Sequence, residues 1–313
     1  MKISVLIPTY NRKDILRKCL EGYSRQTFPS DAFELIVVDD GSTDGTAEVV
    51  NGLAPTLPYR LSYAYQANAG PGAARNRGFR SASGEVILIT GDDILPEERL
   101  LAEHWEWHSE RYPEKEIGIL GYVTWLPYPA PTPLMRWMER GVQFNYPVLV
   151  HGGFADWRYS YTCNLSIKKE FLDEAGERFD ERFVLAAFED IEWGYRLAKK
   201  GFSVRYDGHA RGWHEHWATL ENSLKRMENV GRSLGSLKKI NPEVYSILFR
   251  EMIPKGILVR MVLGMATWEP LFQHVTLPLA RFSEKRFLFS SIFAITHLHF
   301  LISGLRKEGI PIE

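Results

Sequence analysis

Short aliphatic and β-branched runs alternate with longer amphipathic stretches through the first two thirds of the chain. The runs at 3–7, 33–38, 61–65, 86–89 and 117–123 have the length and composition of strands in a buried sheet. Between them the period changes. In 12–25, Ile15, Leu16, Cys19, Leu20 and Tyr23 fall on one face of a helix, with Asn11 as its N-cap. Strands alternating with helices at this interval predict βαβ crossovers and a mixed, mainly parallel sheet, an α/β fold. Such sheets bind ligands beyond the carboxyl ends of their strands, so the polar residues after each strand are the ones to inspect.

The pattern loosens over 125–157, where Pro127, Pro129, Pro131 and Pro133 stand among aromatic residues. This stretch reads as an ordered loop or lid with one short helix at 135–140. Regularity returns with a strand at 161–167, a helix at 188–199 closed by Gly201, and a strand at 202–206. Beyond 217 only helical periodicity persists. The expected division is a catalytic α/β domain at 1–216 followed by a helical C-terminal region at 217–313. Residues 287–305 contain no Lys, Arg, Asp or Glu, yet Ser290, Ser291, Thr296, His297, His299 and Ser303 dilute their hydrophobicity. They read as a helix packed on the domain or lying on a membrane surface, in preference to a transmembrane span.

Composition removes whole classes of function. With 45% hydrophobic and 25% charged residues the chain is neither disordered nor fibrous. Lys+Arg (38) and Asp+Glu (39) nearly cancel, so no broad basic field exists for nucleic acid, and any anionic ligand must be held locally. Cys19 and Cys163 lack zinc-type spacing and read as reduced thiols of a cytoplasmic protein. The apolar stretch at the N-terminus ends at Pro8, too short for a secretory leader.

Two of the predicted strands end in paired carboxylates. The run Leu35-Ile36-Val37-Val38 leads into Asp39-Asp40-Gly41-Ser42-Thr43-Asp44-Gly45, and Val86-Ile87-Leu88-Ile89 leads into Thr90-Gly91-Asp92-Asp93. Either alone is compatible with a polar turn. A calcium loop begun by Asp40, Ser42, Asp44 and Gly45 fails, because its twelfth position is Asn51 where Glu is needed and a strand leads into it where a helix should. Adjacent Asp residues repel each other, so a pair at a strand end calls for a partner, a divalent cation or solvent. Hard oxygen ligands of this kind suit Mg²⁺ or Mn²⁺ bridging phosphates.

ISVLIPTYNR, VVDDGSTDGT, Asn68-Ala69-Gly70-Pro71-Gly72-Ala73-Ala74-Arg75-Asn76 and GDDILP stand in the order and spacing of glycosyltransferase family 2, which the chain resembles. Asn164-Leu165-Ser166-Ile167, Phe179-Asp180-Glu181, Phe188-Glu189-Asp190 and Gly201 continue the resemblance over about residues 3–215. Each motif is weakly specific; the ordered set is strong. The resemblance implies the GT-A fold and an inverting, metal-dependent transferase. It places Pro8, Thr9 and Tyr10 at the base pocket, Asp40 or its neighbour Asp39 at the uracil or ribose, and Arg75 near the diphosphate. Asp92 and Asp93, with His214, would hold Mn²⁺ or Mg²⁺, Asp92 lying on the nucleotide side; the position usually taken by the first Asp of the DxD-like motif is here Thr90.

The pair Glu189-Asp190 resembles the family's ED motif, which makes Asp190 the catalytic base and Glu189 the alternative. A carboxylate at a helix N-terminus is favoured as the anion and can take the acceptor's proton. The implied partners are a nucleotide-sugar donor, with a UDP-sugar as default, and a glycan or lipid-linked acceptor; the implied location is the cytoplasm, with peripheral contact at the inner face of the membrane through the C-terminal helices. Two other readings stand beside this one. A nucleotidyltransferase should carry a Gly-rich phosphate loop where this chain has Pro8-Thr9-Tyr10-Asn11. A non-catalytic nucleotide-sugar-binding protein is favoured by Thr90 and opposed by the joint presence of Asp92, Asp93 and Asp190.

Overall fold

The computed structural model describes residues 1–141, 144–252, 268–284 and 290–310. Among them, β1 (Ile3–Thr9), β2 (Phe33–Asp39), β3 (Arg60–Tyr65) and β4 (Val86–Thr90) are parallel. They are joined by β5 (Ile94–Pro96), β6 (Ile117–Trp125), β7 (Phe154–Ala155), β8 (Asn164–Lys168) and β9 (Ser203–His214). The spatial order is β3-β2-β1-β4-β8-β6-β9-β5, with β7 on β9. β8 runs antiparallel to β4 and β6, whereas β6 and β9 are parallel. The sheet is thus mixed and mainly parallel, as the alternation of strands and helices predicts.

Burial explains why these runs are strands. Val5, Ile7, Leu35, Val37 and Leu88 are fully buried in one cluster with Leu16, Leu20 and Tyr23 of the helix Lys13–Tyr23. Each such aliphatic side chain contributes roughly 1.5–3 kcal/mol on leaving water. Elsewhere in the unit, the helix Pro71–Ser81 approaches β1 at Gly78, where a Cβ would stand 1.9 Å from Leu6 Cδ1.

Several details depart from the sequence pattern. β9 continues to His214, far beyond the expected 202–206, because its pairing with β6 jumps from Gly121↔Asp207 to Tyr122↔Arg211. The bulged residues 208–210 break the alternation that would have marked the strand's second half. Ile94–Pro96 is an edge strand paired with β9, and the next helix is Leu100–Glu106. Pro is tolerated there because an edge strand need not donate on its open side. Asn11 is not an N-cap. It sits at φ 52, and its side-chain oxygen accepts from the Thr43 amide, while the first helical amide, Lys13 N, donates to Asp44 Oδ2 at 3.0 Å.

Two compact units make up the chain: Met1–Leu126 with Val148–Val184 and Glu189–His216, and Pro127–Pro147 with Leu185–Phe188 and Trp217–Glu313. The second therefore takes in 127–147 and 185–188, which a boundary at 216 assigns to the first. Its short helix is Pro133–Met138, and Trp137 on it packs against Phe293 and His297, with ring centroids 5.6 and 4.8 Å away. Leu220–Ile240 lies so close to Ser290–Lys307 that a Cβ on Gly231 would stand 2.1 Å from the Leu301 carbonyl oxygen. Phe293, Leu301 and Leu305 are buried. Residues 287–289 of the apolar C-terminal stretch lie outside the described residues. Among the described residues no helix is long and apolar enough to cross a membrane.

Candidate active site

The carboxyl ends of β1, β2 and β4 lie side by side, and Thr9, Asp39, Asp40, Asp92 and Asp93 close or follow them. Thr9 is buried and donates its hydroxyl to Asp92 Oδ2 at 2.7 Å, while Pro8 is half-buried and Tyr10 exposed. Asp39 accepts from the Ser42 amide and from the Tyr63 hydroxyl, both at 2.7 Å. Burial, and then the Asp39 carboxylate, push the Tyr63 hydroxyl's pKa upward. Asp40 turns towards the following loop, accepting from Gln66 Nε2 at 2.7 Å and from the amides of Ala69 and Gly70 at 2.9 and 2.8 Å. It thereby fixes the segment that enters the helix of Arg75. Gly41, at φ 92, lies where a Cβ would stand 2.8 Å from the Asn68 amide nitrogen, so a side chain there would part the two loops. Asp44 accepts from the amides of Lys13 and Thr46, at the starts of two helices, which accounts for it without calcium.

Beyond β4, Asp92 and Asp93 share one cation of the protein's own. Arg12 Nη1 donates to Asp92 Oδ1 at 3.1 Å and to Asp93 Oδ2 at 2.5 Å. The same Asp93 oxygen lies 3.2 Å from His214 Nε2, and the His214 ring stacks on Trp125 with centroids 5.0 Å apart. Burial and the Asp93 charge raise Asp92 to about 6. For Asp93 burial acts in the same sense but is outweighed by the hydrogen bond and charge of His214 and by Arg12, which hold its carboxyl well below the usual range. Thr90 is turned away, its hydroxyl donating to the Cys163 carbonyl on the segment leading into β8. Arg12 is the site residue that sequence reasoning misses: an adjacent Asp pair signals that a counter-charge is needed but not where in the chain it comes from.

The donor set suits a hard divalent cation, since it offers two carboxylates and an imidazole, two of them already converging. With Arg12 between the carboxylates, no three His, Cys, Asp or Glu side chains converge as a metal site among the described residues. Asp93 and His214 are the residues best placed to hold the ion, with Asp92 beside them.

The ED pair opens the helix Glu189–Ala198, immediately after Phe188 turns the chain at φ 68. Arg75 pairs with Glu189, with Nη1 to Oε1 at 2.9 Å. Its guanidinium lies 5.2 Å above the Phe179 ring, which itself stacks on Trp193. Glu189 Oε2 and Arg75 Nε are buried without a hydrogen-bond partner. Asp190 is half-buried, and its Oδ1 accepts from the Ile191 amide at 2.8 Å. Burial and the neighbouring Glu189 charge raise its pKa to about 7, against the opposing pull of Arg75 and the helix amides. The helix terminus therefore does not dominate, and the result is a carboxyl that changes charge near neutrality.

Residues 4–147 match the family model described as "Glycosyl transferase family 2". The glycosyltransferase AglE of Haloferax volcanii is 24% identical over 247 residues, covering 74% of this chain and 72% of that protein. Validoxylamine A glucosyltransferase of Streptomyces hygroscopicus subsp. limoneus is 29% identical over 78% of this chain, which spans only 58% of that relative's length. Among solved structures, the mannosyltransferase PcManGT of Pyrobaculum calidifontis, in complex with GDP-Man and Mn²⁺, superposes with a TM-score of 0.60 at 19% identity, covering 98% of this chain and 86% of that one. The shared architecture is the GT-A fold followed by helices.

Proposed function

The chain belongs to glycosyltransferase family 2, and from that premise we propose that it moves a sugar from a nucleotide-diphosphate donor, a UDP-sugar by default, to an acceptor hydroxyl of a glycan or lipid-linked glycan, with inversion and with Mn²⁺ or Mg²⁺. One observation carries this reading. Asp93, a cation-paired carboxylate beyond the carboxyl end of β4, and Asp190, a carboxyl at a helix N-terminus whose pKa burial and the Glu189 charge raise to about 7, occur in the same unit. The first kind of group suits an anionic leaving group's counter-ion, the second a general base.

In the proposed reaction Asp190 accepts the proton of the acceptor hydroxyl as its oxygen bonds to the anomeric carbon. The bond from that carbon to the diphosphate oxygen breaks on the opposite face, its electron pair leaves with the nucleoside diphosphate, and configuration inverts. When bound by Asp93 and His214, with Asp92, a divalent cation supplies positive charge to the leaving diphosphate. Pro8, Thr9 and Tyr10 with Asp39 and Asp40 frame the place of the nucleoside, and holding donor and acceptor in line supplies much of the acceleration. Thr90, which favoured a non-catalytic protein, is accounted for by its bond to Cys163.

A panel of UDP- and GDP-sugars, with and without Mn²⁺ and with a mixture of glycan acceptors, tests this by release of nucleoside diphosphate. Release that requires both the cation and an acceptor is expected. Cation-dependent binding of a nucleotide sugar with no release from any donor would make the protein a binding module.

A further inference from the structure

A diphosphate needs positive charge from the protein as well as from a metal, and two arginines stand near the site. Arg75 is committed: it is 11% exposed, paired with Glu189 and stacked on Phe179. Arg12 is 41% exposed, and it meets Asp92 and Asp93 through a single nitrogen. Its main chain is anchored, the carbonyl accepting from the Leu16 amide, so the side chain alone can move. The oxygen it contacts most closely, Asp93 Oδ2, is also the one facing His214. A cation held between Asp93 and His214 would meet that oxygen, and a guanidinium 2.5 Å from it would bring two positive centres together.

We infer that Arg12 is an exchangeable counter-ion of the donor site. It neutralises the Asp92–Asp93 pair while the donor is absent, is displaced from that pair by a divalent cation, and then pairs with the diphosphate that arrives with the cation. The inference rests on the metal-dependent reading above and deepens it. A guanidinium suits both partners, since it can set one nitrogen between two carboxylates, as here, or its fork of donors against two oxygens of a phosphate. A cation alone must send Arg12 into water and so binds weakly. A cation with a nucleoside diphosphate gives Arg12 a new anion and binds more tightly, and the coupling is reciprocal.

The experiment is Mn²⁺ binding to the full chain, followed by the electron paramagnetic resonance signal of free Mn²⁺, with and without UDP and, in a second arm, GDP. In the parent protein the nucleotide should tighten Mn²⁺ on the order of tenfold or more. Arg12→Gln should bind Mn²⁺ alone on the order of tenfold more tightly than the parent, and the gain from nucleotide should shrink. Equal or weaker Mn²⁺ binding by Arg12→Gln, with thermal unfolding showing an intact fold, overturns the inference. Should that variant not fold, Arg12→Lys keeps the charge but lacks the fork: the gain from nucleotide should fall while Mn²⁺ alone binds as in the parent, and an undiminished gain overturns the inference equally. Asp93→Asn separates the two levels. If it leaves Mn²⁺ binding untouched, the metal site itself is misplaced and the exchange falls with it; if it removes Mn²⁺ binding while Arg12→Gln raises nothing, only the exchange is wrong.

Discussion

Arg75 and Glu189 meet at 2.9 Å inside the protein, 114 residues apart in the chain, and the next residue after Glu189 is Asp190. This ion pair sets the field in which Asp190 titrates. Glu189 pushes the Asp190 proton to stay, Arg75 pushes it to leave, and burial favours the neutral form over both.

The pH dependence follows from that balance. With its pKa raised to about 7, Asp190 is protonated in weak acid and ionised in weak base, so a rate that needs the anion rises with pH through neutrality. Glu189→Gln removes the charge that raises Asp190 and should move the acidic limb of the kcat/KM profile to lower pH. Arg75→Gln removes the opposing charge and should move the limb higher. Shifts in the same direction for both variants would show that the pair does not control the base. Stability has the opposite sign. A carboxyl whose folded pKa is raised contributes stability below its unfolded value, ordinarily 3.8, and loses it as pH climbs through about 7. Asp190→Asn should therefore unfold at a higher temperature than the parent in weak base and at about the same temperature below the ordinary carboxyl range.

Asp40→Asn should destabilise the loop that enters the Arg75 helix. The two carboxylate oxygens accept three hydrogen bonds, two of them from the backbone amides of Ala69 and Gly70. An amide side chain has one accepting oxygen, and its NH₂ would face an N–H donor. Leaving one of these buried donors unpaired costs about 1–3 kcal/mol. Urea unfolding measures the loss, and a change within about 0.3 kcal/mol would mean that a rearranged loop satisfies the amides.

The parts of the site that the sequence discloses are those set by neighbours in the chain. Asp39, Asp40, Asp92 and Asp93 follow apolar runs directly, so strand period and turn residues locate them. Arg12 and Arg75 act on residues 80 and 114 positions away, and nothing local distinguishes an arginine that crosses the site from one in solvent. Only the resemblance points to His214, since the bulge at 208–210 erases the alternation of the strand that carries it. The same limit applies to 127–147, whose prolines mark a loop but not the helices of the second unit against which Trp137 packs.

The two aspartates beyond β4 should not be equivalent. Asp93 is held strongly ionised by His214 and Arg12 although it is buried, whereas Asp92 is raised to about 6 and spends one oxygen on the Thr9 hydroxyl. Asp93→Asn should weaken Mn²⁺ binding in the presence of UDP more than Asp92→Asn does, and His214→Gln, as loss of a direct ligand, should weaken it by at least the roughly 10–100-fold that loss of a residue orienting a ligand costs. Calorimetric titration of Mn²⁺ into protein saturated with UDP ranks the three. A larger loss from Asp92→Asn would reverse the proposed division between the metal side and the nucleotide side of the pair.

Asp190→Asn is the variant that decides the mechanism. An acceptor hydroxyl has a very high pKa, so its proton must leave as the new bond forms, and only a group with an accepting oxygen to spare can take it. Most other acids of the site are engaged: Asp39 by Ser42 and Tyr63, Asp40 by Gln66, Ala69 and Gly70, Asp92 by Thr9 and Arg12, and Asp93 by Arg12 and His214, while Glu189 pairs with Arg75 through Oε1, keeps Oε2 unpartnered but buried, and stands as the alternative. Asp190 Oδ1 accepts from the Ile191 amide, no side chain is seen to donate to Asp190 among the described residues, and it is not fully buried. Asn has the same shape and can keep that bond through its oxygen, but it cannot accept a proton at neutral pH. Turnover should fall on the order of 10²-fold or more, with the dissociation constant of the donor nearly unchanged. The informative measurement pairs kcat at saturating donor with donor affinity in the absence of acceptor. Lost affinity with turnover preserved at saturation would make Asp190 part of the donor-binding framework, and the base would then have to be Glu189, freed from Arg75 when substrate binds.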